Sequence, residues 1–140
     1  MTQAVCLVIP PSPFLLDERV FPFLGALKVG AMLKEAKWPV EVSDLAGNKG
    51  FVQKIEVTVS NSEARHFGIT ATTPQFPAAV QIAKAIRRVR EDARIIIGGT
   101  HATLVVAGRK NEKKHHRIGR AENAYRPLEE NFAGMVSGDG

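Results

Sequence analysis

The chain has 140 residues, 44% hydrophobic and 24% charged, which is the balance of one ordinary globular domain and excludes a disordered or membrane-embedded chain. No stretch approaches the ~20 consecutive apolar residues of a membrane helix and the N-terminus carries no signal pattern, so a cytoplasmic setting with no membrane partner is expected. The single Cys6 excludes an intrachain disulfide, a CxxC zinc pair and a cysteine-held iron–sulfur cluster, while a net charge of +5 and a pI near 9.7 favour anionic partners.

Ala4-Val5-Cys6-Leu7-Val8-Ile9 is a short apolar run stopped by Pro10-Pro11-Ser12-Pro13, the pattern of a strand buried on both faces and then broken by a loop. Cys6, inside that run, reads as a small buried hydrophobe. Leu24, Leu27 and Ala31 recur at helical spacing between about Phe21 and Lys37, and Gly25 and Gly30 would allow close backbone approach there. Pro39 to Leu45 alternates as a second strand and ends at Ala46-Gly47-Asn48. Ile55, Val57, Thr58 and Val59 have strand propensity, but two parallel strands need a crossover, so Phe51 to Ala64 is assigned a helix.

Phe67 to Thr72 reads as a third strand. Pro77 then opens a helix whose Ala79, Ile82, Ala83, Ile86 and Val89 form one apolar stripe, the clearest helix in the chain. Arg94 to Gly99 repeats the buried strand and flexible turn. Much of the positive charge sits in Arg109-Lys110-Asn111-Glu112-Lys113-Lys114-His115-His116-Arg117, where a fourth helix should lie; it reads first as a solvated surface and second as a phosphate or nucleic-acid patch. Ala133 to Gly140 looks like a fifth strand entering its loop, and a chain ending in Gly-Asp-Gly is read as a fragment of a longer protein. Strands alternating with helices predict an α/β, flavodoxin-like (Rossmann-like) three-layer sandwich, with a five-stranded parallel sheet in the order 2-1-3-4-5.

In open parallel sheets ligands bind beyond the carboxyl ends of the strands, and the unusual residues cluster there. Pro11, Ser12 and Pro13 follow strand one; Thr70, Ala71, Thr72, Thr73 and Gln75 follow strand three. Gly98, Gly99, Thr100 and His101 follow strand four, and Gly138 follows strand five. Hydroxyls and backbone amides there suit amide or phosphate groups, and glycines let a large flat ligand approach the backbone. His101 reads as a hydrogen-bonding loop residue, and His66, His115 and His116 as structural or surface residues. Walker A, G-x-G-x-x-G and G-x-S-x-G patterns are absent, so no catalytic residue is assigned.

Val8-Ile9-Pro10-Pro11-Ser12-Pro13, Gly68 to Pro77 and Ile97-Gly98-Gly99-Thr100-His101-Ala102 together resemble the N-terminal cobalamin-binding domains of B12-dependent radical S-adenosylmethionine enzymes; Val136 to Gly140 is similar to that domain's last strand and turn. The resemblance implies cobalamin at the strand ends with its nucleotide tail slotted into the sheet. Thr70 and Thr72 match the hydroxyl-bearing segment, and Gly98 and Gly99 match the glycine pair beside the tail; Thr73, Gln75 and His101 are weaker matches. The Asp-x-His-x-x-Gly motif of classical cobalamin mutases is missing, with Pro11 to Pro13 in its place, which argues against a histidine-ligated cobalt.

The CxxxCxxC motif is missing too. The resemblance therefore places the [4Fe–4S] cluster and S-adenosylmethionine in a separate C-terminal radical domain of the parent, the expected protein partner, where methyl transfer or related radical chemistry would occur. This chain alone is not expected to be an enzyme. Two alternatives stand beside the cofactor module: an interaction domain that keeps the fold without a cofactor, and a nucleotide or nucleic-acid binder using residues 109–120, the less favoured partner class.

Overall fold

The inner strands form around apolar residues: β1 (Val5–Ile9), β3 (His66–Thr70) and β4 (Arg94–Gly98), flanked by β2 (Val40–Asp44) and the two-residue β5 (Gly134–Met135). All pair in parallel in the order β2-β1-β3-β4-β5, the flavodoxin-like arrangement expected. The computed structural model describes residues 4–12 and 24–137.

Register separates the two faces of the sheet. Cys6, Phe67 and Ile95 lie side by side, as do Val8, Ile69 and Ile97, and all six are buried. They pack against Ile55 and Val59 of α2 (Phe51–Ser60), Ala79, Ile82 and Ile86 of α3 (Phe76–Val89), and Leu128 of α5 (Arg120–Asn131). Each fully buried isoleucine contributes roughly 2–3 kcal/mol of transfer free energy, so this face carries most of the stability. On the opposite face the row is Val42, Leu7, Gly68, Ile96 and Gly134. There α1 (Leu24–Glu35) packs on β1 and β2, and no residue of 25–35 is fully buried. Val42 and Ile96 remain 54% and 40% exposed, so this face is only partly covered.

The helix at 51–60 confirms that crossover topology outweighs the strand propensity of Val57, Thr58 and Val59. Arg90 reinforces that connection by donating to the carbonyls of Val59 and Ser62 at 3.2 and 2.7 Å, and to that of Ala64.

The basic segment, read first as a solvated surface where a fourth helix should lie, begins on the exposed end of α4 (Thr100–Lys114), and a further helix, α5, also lies between β4 and β5. Gly108 permits their close packing, since a Cβ there would lie 2.9 Å from that of Ala121. Within the described residues the fifth strand, expected with the start of its loop inside Ala133 to Gly140, is Gly134–Met135. His101 is the second residue of α4 rather than part of a loop.

Candidate functional site

Three connections meet at the carboxyl edge of the sheet, and the Gln75 side chain joins two of them. Thr73-Pro74-Gln75 forms one turn of 3₁₀ helix leading into α3, with Pro74 and Pro77 supplying the fixed φ that helix starts favour. Gln75 is 1% exposed. Its Nε2 donates to the Pro10 carbonyl at 3.1 Å and to Ser12 Oγ at 2.6 Å. Its Oε1 accepts from the Thr72 backbone N–H at 3.0 Å and from Thr72 Oγ1 at 3.2 Å. These contacts fill the two donors and two lone pairs of an amide, so Gln75 positions the β1 and β3 turns instead of offering a free polar group.

Gly98 and Gly99 differ in kind. Gly99 has φ +95°, and a Cβ there would lie 2.8 Å from Thr70 Oγ1 and 2.9 Å from both N and O of Ala71. Only glycine fits this crossing of two backbones, which the bonds Ala71 N–H to Gly98 O and His101 N–H to Ala71 O, each 3.1 Å, hold in place. Gly98 has room: a Cβ would meet Val136 at 3.7 Å, an ordinary contact. Its lack of a side chain opens space above the sheet.

That space is a cavity of about 960 Å³ between α1 and the second face of the sheet. Leu7, Gly68, Ile96 and Gly98 make its floor; Gly25, Ala26, Val29 and Leu33 of α1 make one wall, and Thr103 and Leu104 of α4 another. Thr70, Ala71, Thr72, Gly99 and Thr100 rim the end nearest the strand termini. Gly68 keeps the floor flat: a Cβ there would lie 3.1 Å from Leu7 Cδ2, closer than an ordinary contact. The result is a long apolar slot with hydroxyls and backbone amides at one end, shaped for a ligand with a flat apolar part and a polar part.

Seven of the residues expected at the site therefore line one cavity: Thr70, Ala71, Thr72, Gln75, Gly98, Gly99 and Thr100. Pro11 and Ser12 are buried behind it as support. Thr73 and His101 face away from it, lining a smaller cavity of about 280 Å³ with Arg120, Ala121 and Ala124. Pro13 and Gly138 lie outside the described residues. His101 is 7% exposed, stacks on Phe76 with ring centroids 4.3 Å apart, and shares a 3.0 Å hydrogen bond between Nδ1 and Thr73 Oγ1. Burial holds its pKa below the usual histidine value, and its Nε2 has no partner among the described residues. Among those residues no group of three His, Cys, Asp or Glu could hold a metal ion.

Of the floor, Gly98 was assigned from the sequence, while Leu7, Gly68 and Ile96 were not. For Gly68 the available signal was a glycine between Phe67 and Ile69, since glycine in a strand interior marks close approach of another group.

A family comparison stands beside this geometry: the model of the B12 binding domain matches residues 18–128. The chain belongs to the B12-binding domain family. No curated protein matches it. The residues of this B12-binding domain are of a kind that fits such a cofactor: Gly68 and Gly98 leave a cradle that side chains would fill, and the threonine rim presents hydroxyls at one end of the apolar slot.

Proposed function

We propose that this domain holds cobalamin for a radical S-adenosylmethionine enzyme, with the tail in the slot between α1 and the sheet and the corrin ring over the Thr70–Thr72 and Gly98–Thr100 turns. The observation that carries the cofactor half is the cavity of about 960 Å³ floored by Gly68 and Gly98. The radical-enzyme half is supported by the wording of three turns, Pro10-Pro11-Ser12-Pro13, Thr70 to Pro77 and Gly98-Gly99-Thr100-His101, and by the absence of the histidine motif after β1.

Bound cobalamin would supply the methyl-carrying cobalt chemistry. The chain's own residues bind and orient it: the Thr70 and Thr72 hydroxyls and the amides of the Gly99 turn meet polar groups, and Leu7, Val29 and Ile96 exclude water from the tail. Cys6 is buried and is the single cysteine of the chain, so cluster chemistry falls to another domain.

Titration with hydroxocobalamin, followed by desalting and the visible spectrum, tests the cofactor half. The chain should retain cobalamin with a shifted spectrum, and Gly98→Leu, which fills the floor, should lower retention roughly tenfold or more. No retention by the unaltered chain would overturn the reading. The loaded chain alone should leave S-adenosylmethionine intact; turnover without an added cluster-bearing domain would overturn the radical-enzyme half.

A further inference from the structure

We infer that the corner joining α4 to α5 is a docking ridge for an anionic lipid surface. Residues 109–120 hold six Lys and Arg against the single Glu112, a net +5 that equals the charge of the whole chain; the other residues balance at thirteen basic and thirteen acidic. The structure concentrates this excess further. Arg109 turns inward, paired with Glu122 at 2.8 Å and stacked 3.9 Å from the Tyr125 ring centroid. The Glu112 carboxylate is engaged too, accepting the Ala121 and Glu122 backbone N–H groups at 3.0 Å each. Lys110, Lys113, Lys114, Arg117 and Arg120 are exposed, and none has an ion pair among the described residues.

At the tip of this corner stands Ile118, 85% exposed, the most exposed large hydrophobic among the described residues. A cationic ridge alone would suit any polyanion. Ile118 selects among them: a phosphate backbone gives an isoleucine nothing, and residues 109–120 contain no Phe, Tyr or Trp on which bases could stack. Protein interfaces are poor in lysine, whereas three of the five free cations here are lysines. An anionic lipid interface rewards both features, attracting the cations and burying the apolar tip at the headgroup level. The ridge is at the far end of α4 from Thr100 and Thr103, about 20 Å along a helix of this length, so docking leaves the mouth of the cobalamin slot free.

The test is co-sedimentation of the full chain with vesicles of phosphatidylcholine and phosphatidylglycerol in equal parts, against vesicles of phosphatidylcholine alone. Binding should require the anionic lipid and fall with salt. Lys113→Ala/Lys114→Ala should weaken it roughly thirtyfold, and Ile118→Ser, which leaves the charge unchanged, roughly fivefold. Both variants should keep the unfolding midpoint of the unaltered chain. No sedimentation with anionic vesicles at low salt overturns the inference. Tighter binding to duplex DNA or RNA, unaffected by Ile118→Ser, would assign the ridge to nucleic acid and overturn it as well.

Discussion

Gln75 Nε2 lies 2.6 Å from Ser12 Oγ, across 63 residues of sequence, and this bond ties the turn after β1 to the turn after β3. The same amide reaches Pro10 O and receives Thr72 N–H, so one side chain holds together two of the connections at the cofactor edge. Gln75→Leu keeps the volume but removes the amide partner of the buried Pro10 carbonyl and of the Thr72 backbone N–H. It should cost about 2–4 kcal/mol, read as a lower urea midpoint, and should weaken hydroxocobalamin retention because the threonine rim moves. An unchanged midpoint would show that water replaces the amide and that Gln75 does not position the turns.

The two glycines at the end of β4, Gly98 within it and Gly99 just past it, should separate in a substitution experiment. Gly99→Ala forces a side chain into φ +95° and against the Ala71 backbone, and should destabilise the domain by about 2–4 kcal/mol. Gly98→Ala meets only ordinary contacts and should change stability by less than about 1 kcal/mol. Thermal unfolding of the two variants side by side checks this; equal losses would mean that the crossing at Gly99 relaxes.

How much of this was legible beforehand depended on whether a residue's signal was local. The buried runs of β1, β3 and β4 and the stripe Ala79, Ile82, Ala83, Ile86 announced the sheet and α3, because period and composition agreed. The strand order followed from the alternation. At the cavity the rim was legible, since threonines and glycines after strands are local signals, but Leu7 and Ile96 look like any buried strand residue until register sets them beside Gly68. α5 was not legible because its only fully buried residue is Leu128 and Pro127 reads as a helix breaker although the helix runs through it; Ala121, Ala124, Tyr125 and Leu128 do recur at helical spacing. His101 looked like a loop residue because Gly98-Gly99 precedes it; its burial comes from Phe76, which is 25 residues earlier.

Cys6 should be chemically silent in the folded chain. Burial first, and the Glu41 carboxylate second, push its thiol up to about 12. An aromatic disulfide reagent at pH 8 should therefore leave it unmodified in the native state and modify it fully in urea. The linkage has a sign. The native thiol keeps its proton where the unfolded one loses it, so its stabilising contribution is complete below about pH 8.5 and is lost as pH rises from there toward 12. Cys6→Ala should remove that part of the alkaline loss. Rapid native labelling at pH 8 would contradict the buried placement.

His101 should mark the acid side. Burial lowers its pKa, so on acidification the unfolded chain takes up the proton before the folded one does. The stabilising contribution is whole above about pH 6.5 and is lost as pH falls from there toward the native pKa. His101→Phe keeps a ring stacked on Phe76 and gives up only the bond to the exposed Thr73 hydroxyl, so its cost at pH 7.5 should be small. Urea midpoints of both proteins between pH 7.5 and pH 5 should show the loss in the unaltered chain and a shallower one in His101→Phe. Parallel curves would mean that Nε2 gains a partner able to hold the protonated ring. Because Thr73 and His101 line the smaller cavity and not the slot, hydroxocobalamin retention by His101→Phe at pH 7.5 should match that of the unaltered chain.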